Sequence, residues 1–282
     1  MRRSLIVRPG PTPSRAPFVF GALGLVVALA GLFAFFVGTY VGQSIDEHAF
    51  DGAANWQGPL TTASGWMLDA LPAIALGLGA VLVVVIVVIR RAWRQGLVAA
   101  AAALAALGST QILKNLILVR PQTGVADGLS NSLPSGHTTA AAAAALAVFL
   151  VASARTRPVA LVLGSLFTVL VGVATLIHQW HRPSDVIAAM LVACFWGCAA
   201  GFVLVGIPAS HATHPCRTRL SILGVIAALL SAVAVIGLGV TAAGAAEGFT
   251  HLFVAYMGSV ASIGAVGFGL AWIGNRMFAW LR

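Results

Sequence analysis

The sequence predicts an all-α, polytopic membrane protein, a helical bundle with about eight transmembrane helices. Two observations carry this expectation. Of the 282 residues, 60% are hydrophobic and only 8% are charged, whereas a soluble domain carries roughly 25% charged residues. The apolar residues also gather into runs of about 20, the length that a helix needs to cross the hydrocarbon core of a bilayer. A third observation, the sorting of charge along those runs, sets the expected orientation.

The first run, 17–42, is too long for a signal-peptide core and lacks a small-x-small cleavage site, so it reads as a retained helix. Seven more follow at 68–89, 95–118, 137–153, 158–178, 184–206, 220–243 and 251–274. The segments 43–67 and 119–136 are the longest connections and read as loops. The expected organisation is a cytoplasmic tail at 1–16, a six-helix membrane core at 17–206, and a cytoplasmic loop plus two additional helices at 207–282. The Ala run 140–145 and the Gly197-x3-Gly201 spacing favour close helix packing. Cys194 and Cys198 lie inside one apolar run and read as packing residues, and with Cys216 in a polar loop they make no disulfide framework.

The net charge of +9 does not indicate a nucleic-acid partner, because the basic residues stand in short clusters between apolar runs. With a cytoplasmic N-terminus, 13 of the 16 basic residues fall inside, as the positive-inside rule requires. The exceptions are Lys114, Arg120 and Arg182. All seven acidic residues map to the outer half. An even number of helices puts both termini in the cytoplasm.

The three exceptions lead to three outer segments. Lys114 and Arg120 close the run 95–118; ionisable groups there either mark a functional site or snorkel to the interface. Pro134-Ser135-Gly136-His137 opens the next run. Pro and Ser are ordinary helix-start residues, but free N–H groups at a helix start also bind anions, and Gly136 lets an anion approach the backbone. His178-Gln179-Trp180-His181-Arg182-Pro183-Ser184-Asp185 opens the run 184–206. Asp185 follows His181 by four residues, so its carboxylate can fix one imidazole nitrogen and leave the other free to attack.

The combination resembles the type 2 phosphatidic acid phosphatase superfamily, membrane enzymes that cleave phosphate from lipid phosphates and polyprenyl diphosphates. The family pattern is Lys-x6-Arg-Pro, then Pro-Ser-Gly-His, then Ser-Arg-x5-His-x3-Asp. Pro134 to His137 and the His181-x3-Asp185 half are intact. The resemblance covers the first six runs, and the last two lie outside it. It implies that His181 attacks phosphorus, Asp185 orients His181, and His137 protonates the leaving oxygen and then activates water. Lys114, Arg120, Ser135 and Gly136 would hold the phosphoryl oxygens. The scheme requires no metal and no cofactor.

Two departures stand out. Only five residues separate Lys114 from Arg120. At about 100° per residue, a six-residue step ends roughly 120° away on an ideal helix, so an unwound end, favoured at Arg120 by Pro121, is needed for convergence. Ala174-Thr175 also stands where the pattern has Ser-Arg, and Arg182 and His178 are the candidates for a compensating donor. The expected function is a metal-independent lipid phosphatase in the cytoplasmic membrane, with its site on the extracytoplasmic side and a polyprenyl diphosphate preferred over a phosphatidate-type lipid as substrate. The alternative is a lipid-phosphate binder whose catalysis is impaired by Thr175. A transporter is disfavoured because no inverted repeat or broken midplane helix is evident. His211-x2-His214-x-Cys216 has metal-binding residue types but no evident fourth ligand, and Trp180 reads as an interface anchor.

Overall fold

A computed structural model describes residues 14–125, 131–206, 221–244 and 248–279. Among the described residues the chain forms nine α-helices: α1 (Ala16–Leu32), α2 (Tyr40–Ala54), α3 (Pro59–Arg90), α4 (Trp93–Ile112), α5 (Gly136–Val151), α6 (Arg157–Ile177), α7 (Pro183–Val205), α8 (Ser221–Ala242) and α9 (Gly248–Met277). α1 and α4 each end in a π-helical turn, Phe33–Val37 and Leu113–Ile117. Seven spans are long and apolar enough to cross a membrane: Ala16–Val37, Leu68–Arg90, Trp93–Ile117, Arg157–Ile177, Pro183–Val205, Ile222–Ala242 and Gly248–Met277. α5 is apolar but shorter. Each of the eight apolar runs is thus largely helical, and the protein is an all-α polytopic membrane bundle.

The segment 43–67, expected as a loop, is the principal correction. Most of it is helical: α2 covers Tyr40–Ala54, and α3 already begins at Pro59. Thr39 starts α2 as an N-cap, its Oγ1 accepting from the Gly42 N–H at 3.0 Å. Gln43, Ile45, Asp46, Ala49, Gly52 and Ala53 are buried, which is one face of a helix with a 3.6-residue period. Asp46, Glu47, His48 and Asp51 within 15 residues keep α2 from reading as a span. The His211, His214 and Cys216 cluster, and Glu247, lie outside the described residues.

Close packing comes from small residues, as the sequence suggested. A Cβ on Gly201 of α7 would lie 2.1 Å from the Phe18 ring of α1. On Gly79 of α3 it would meet Ala144 at 2.9 Å, and on Gly164 of α6 it would meet Ala145 at 2.8 Å, so the Ala run of α5 lets helices approach on two sides. α7 packs against α1, α4, α5 and α9 and is the central post of the bundle. α8 and α9 pair closely, and α9 also lies along α2, α6 and α7.

The helices alternate in direction. α2 lies at one end, together with the ends of α1, α4 and α6 and the starts of α3, α5 and α7. The described acidic residues Asp46, Glu47, Asp51, Asp69 and Asp185 belong to this end. Arg15, Arg90, Arg91, Arg94, Arg155, Arg157 and Arg276 belong to the other. Lys114, Arg120 and Arg182 are the described basic residues on the acidic end.

Candidate active site

The three segments meet at that end, and local backbone geometry explains how. α4 does not continue as an α-helix to Arg120. Its π-helical turn contains Lys114, and Leu118 is extended at φ −89° and ψ 126°. The unwinding that the short Lys114–Arg120 spacing requires is therefore present. Asn131, which the motifs did not single out, ties this end to the approach of α5: its side-chain amide donates to the Lys114 and Leu118 carbonyls, both at 2.9 Å.

At α5, Ser135 is the N-cap, its Oγ accepting from the Thr138 N–H at 3.3 Å. Its backbone N–H donates to the Asp185 carbonyl at 2.9 Å, which joins α5 to α7. The Gly136 and His137 N–H groups make no hydrogen bond among the described residues, so two donors at a positive helix end stay available. Lys114 is half-buried. Lys114, His181 and Asp69 are the charged or titratable groups that act on His137.

Between α6 and α7 the chain reverses through Gln179, whose φ of +57° lies in the left-handed region. Its side-chain amide donates to the Phe50 carbonyl of α2 at 3.1 Å and anchors the turn. The reversal lets Trp180 and His181 donate their N–H groups to the Thr175 carbonyl, at 2.9 and 3.3 Å. The Thr175 hydroxyl turns back to the Gly172 carbonyl at 2.8 Å and is fully buried. The site therefore lacks a guanidinium from this position.

Asp185 is the hub. Its Oδ2 accepts from Ser132 Oγ at 2.6 Å and from the Arg182 N–H at 3.0 Å. The same oxygen lies 3.3 Å from His181 Nδ1. Its Oδ1 faces Arg120 at 3.9 Å. The Arg120 side chain is fully buried, and none of its three nitrogens has a hydrogen-bond partner among the described residues. A desolvated guanidinium without hydrogen bonds is costly, and a phosphate is a ligand that its fork geometry fits.

The rings of His137 and His181 have centroids 6.1 Å apart. Trp180, expected as an interface anchor, packs its ring 5.0 Å from His137 and 5.8 Å from His178. Arg182 is engaged elsewhere: its Nε donates to Glu47 at 2.6 Å, and its guanidinium lies over Phe50 at 5.1 Å. Among the described residues, no group of three His, Cys, Asp or Glu side chains could hold a metal ion.

Residues 95–205 match the family model of the PAP2 superfamily. Residues 95–205 form a PAP2 superfamily domain. The PAP2 domain runs from α4 to the last residue of α7 and contains all three segments of the site. Superfamily members are phosphatases, so the domain and the membrane-spanning helices together support a membrane phosphatase-type function. No curated protein and no solved structure is a significant match to the chain.

The PAP2 domain does not contain every residue that builds the site. Gln43 of α2 donates to the Pro121 carbonyl at 2.9 Å and accepts from Thr123 Oγ1 at 2.7 Å, next to Arg120. Asp46 accepts from the Ser184 N–H at 3.0 Å and from Ser184 Oγ at 2.5 Å. Sequence reasoning missed Gln43, Asp46, Glu47, Asn131 and Ser132. The one available signal was the 3.6-residue period within 40–54.

Proposed function

We propose that this protein is a membrane lipid phosphatase that transfers a phosphoryl group to His181 and then to water. The observation that carries the reading is the buried Arg120 guanidinium, without a hydrogen bond among the described residues, beside the His181–Asp185 pair. His181 donates its Nδ1–H to Asp185, which leaves the Nε2 lone pair free to attack phosphorus. The bond from phosphorus to the leaving oxygen breaks, and His137 supplies the proton for that oxygen. His137 then takes a proton from water as water attacks the phosphohistidine, and this releases phosphate and free His181. Arg120, Lys114, Ser135 and the free N–H groups of Gly136 and His137 carry the negative charge of the equatorial oxygens. No step needs a metal or a cofactor.

The substrate we favour is a polyprenyl diphosphate, with phosphatidate-type lipids second, in the cytoplasmic membrane with the site on its extracytoplasmic side and both termini in the cytoplasm. Charge sorting supports that orientation. One observation favours a second reading, a lipid-phosphate binder without turnover: the Thr175 hydroxyl is spent on Gly172 and Arg182 on Glu47, so Arg120 has no second guanidinium beside it.

Phosphate release from a panel of lipid phosphates by the purified chain and by His181→Ala decides between them. The phosphatase reading expects release to fall by at least about 10³-fold in the variant, as for loss of a nucleophile. Binding without release, unchanged by His181→Ala, establishes the second reading instead.

A further inference from the structure

We propose that Asp46 sets the charge of the phosphate site, so that an anion binds there with uptake of one proton on the Asp46 carboxyl. This rests on the phosphate-site reading and adds a linked proton and a residue outside the PAP2 domain.

Asp46 is 1% exposed and lies at the start of α7, bonded to Ser184. Through Ser184 it adjoins Asp185 of α7, whose Oδ1 faces Arg120 of the segment after α4 at 3.9 Å, and Arg182 of the α6–α7 turn also acts on it. Its neighbour Glu47 is bonded to Arg182, so those two charges offset each other. α9 presents His251 to His48 rather than to Asp46. Arg120 thus carries one positive charge against two buried carboxylates, Asp46 and Asp185. With both ionised the trio is net negative and opposes the attraction that Lys114 exerts on a dianion. With Asp46 protonated the trio is neutral, and Arg120 is free to serve the anion.

The surroundings suit the change. Burial, and next the Asp185 charge, push the Asp46 carboxyl up to about 7, so solvent can supply the proton near neutrality. Ser184 tolerates either state, because its hydroxyl donates to a carboxylate and accepts from a carboxylic acid. No bond to Ser184 is lost when the proton arrives.

The test is calorimetric titration of the full-length chain in detergent with sulfate, whose own charge stays constant from about pH 5.5 to 8.5. Wild-type affinity is expected to fall by about tenfold at one pH unit above the Asp46 transition, since only the protonated fraction is competent. Asp46→Asn, of the same shape and permanently neutral, is expected to match wild type near pH 5.5. Near pH 8 it is expected to bind about tenfold more tightly than wild type and to take up one proton fewer. Asp46→Glu keeps a titrating group and is expected to keep a falling affinity.

His137 and His181 are present in every one of these proteins, so the difference between them isolates position 46. Equal pH slopes and proton counts in wild type and Asp46→Asn overturn the proposal and leave the anion site standing. So does loss of binding by Asp46→Asn near pH 5.5, or a flat response of Asp46→Glu. If wild type binds no sulfate, or binds it equally well as Arg120→Ala, the phosphate-site reading falls and this proposal with it.

Discussion

A single oxygen, Asp185 Oδ2, receives the Ser132 hydroxyl, the Arg182 N–H and the His181 imidazole. The first two contacts hold the carboxylate still, and the third passes that order to His181. A hydrogen bond to a charged acceptor contributes about 1.5–3 kcal/mol. On the proposed mechanism, Ser132→Ala is therefore expected to lower kcat for lipid-phosphate hydrolysis by about tenfold or more while KM changes little. Steady-state kinetics at saturating substrate read this directly, and an unchanged kcat would remove Ser132 from the orienting network. Ser132 was not legible in the sequence, although Asp185 was. The His181-x3-Asp185 spacing is local and self-announcing, whereas Ser132 is one loop serine among several, 53 residues from its partner. Asp46 is harder still, 138 residues from Ser184. Thr175 shows the reverse: the replacement is visible in the sequence, but where its hydroxyl goes is not.

At the scale of elements, α2 connects the segments. It holds the Pro121–Thr123 stretch through Gln43, the start of α7 through Asp46, and the α6–α7 turn through Glu47 and the Phe50 carbonyl. The span-forming helices were legible because apolar length marks a membrane crossing. α2 was not, because its buried face is partly polar and finds its partners only in three dimensions. Its other anchor is His48, which lies 3.2 Å from His251 of α9. Burial, and next the His251 charge, hold the His48 pKa below its ordinary value. The fold thus favours neutral His48: this contribution is present above the unfolded value of about 6.5 and is lost as pH falls through the lower folded value. The apparent Tm is expected to drop between about pH 7 and 5.5, and His48→Gln should flatten that drop. Asp46 acts in the opposite sense, its contribution being present at low pH and lost as pH rises through about 7. Both proteins carry Asp46, so their difference reports His48. Parallel Tm curves would show that the histidine contact does not couple α2 to α9.

For the whole molecule, the question is what α8 and α9 do, since they lie beyond the PAP2 domain. α9 backs α2 closely enough that a Cβ on Gly52 would lie 2.2 Å from the Leu252 carbonyl oxygen. Trp56 stacks on Tyr256 with ring centroids 6.0 Å apart. Gly52→Ala must push the two helices apart, at about 1–3 kcal/mol. The expected outcome is an apparent Tm lower by several degrees together with reduced phosphate release, although Gly52 touches no site residue. A lower Tm with unchanged release would mean that α2 keeps its grip on the site without α9.

The contact between α2 and α9 also has a consequence in time. A chain is made in order, and its helices enter the bilayer in roughly that order. His48 and His251, which join the two helices, are 203 residues apart. The His181–Asp185 pair is complete in the nascent chain before α9 exists, but α2, which carries Asp46 and Glu47, lacks its most extensive packing partner until α9 arrives. The proposed phosphate site is finished by the last helix described rather than by the segments that carry the motifs. A lesion late in the chain, far from every motif, is therefore expected to act as a lesion of the site.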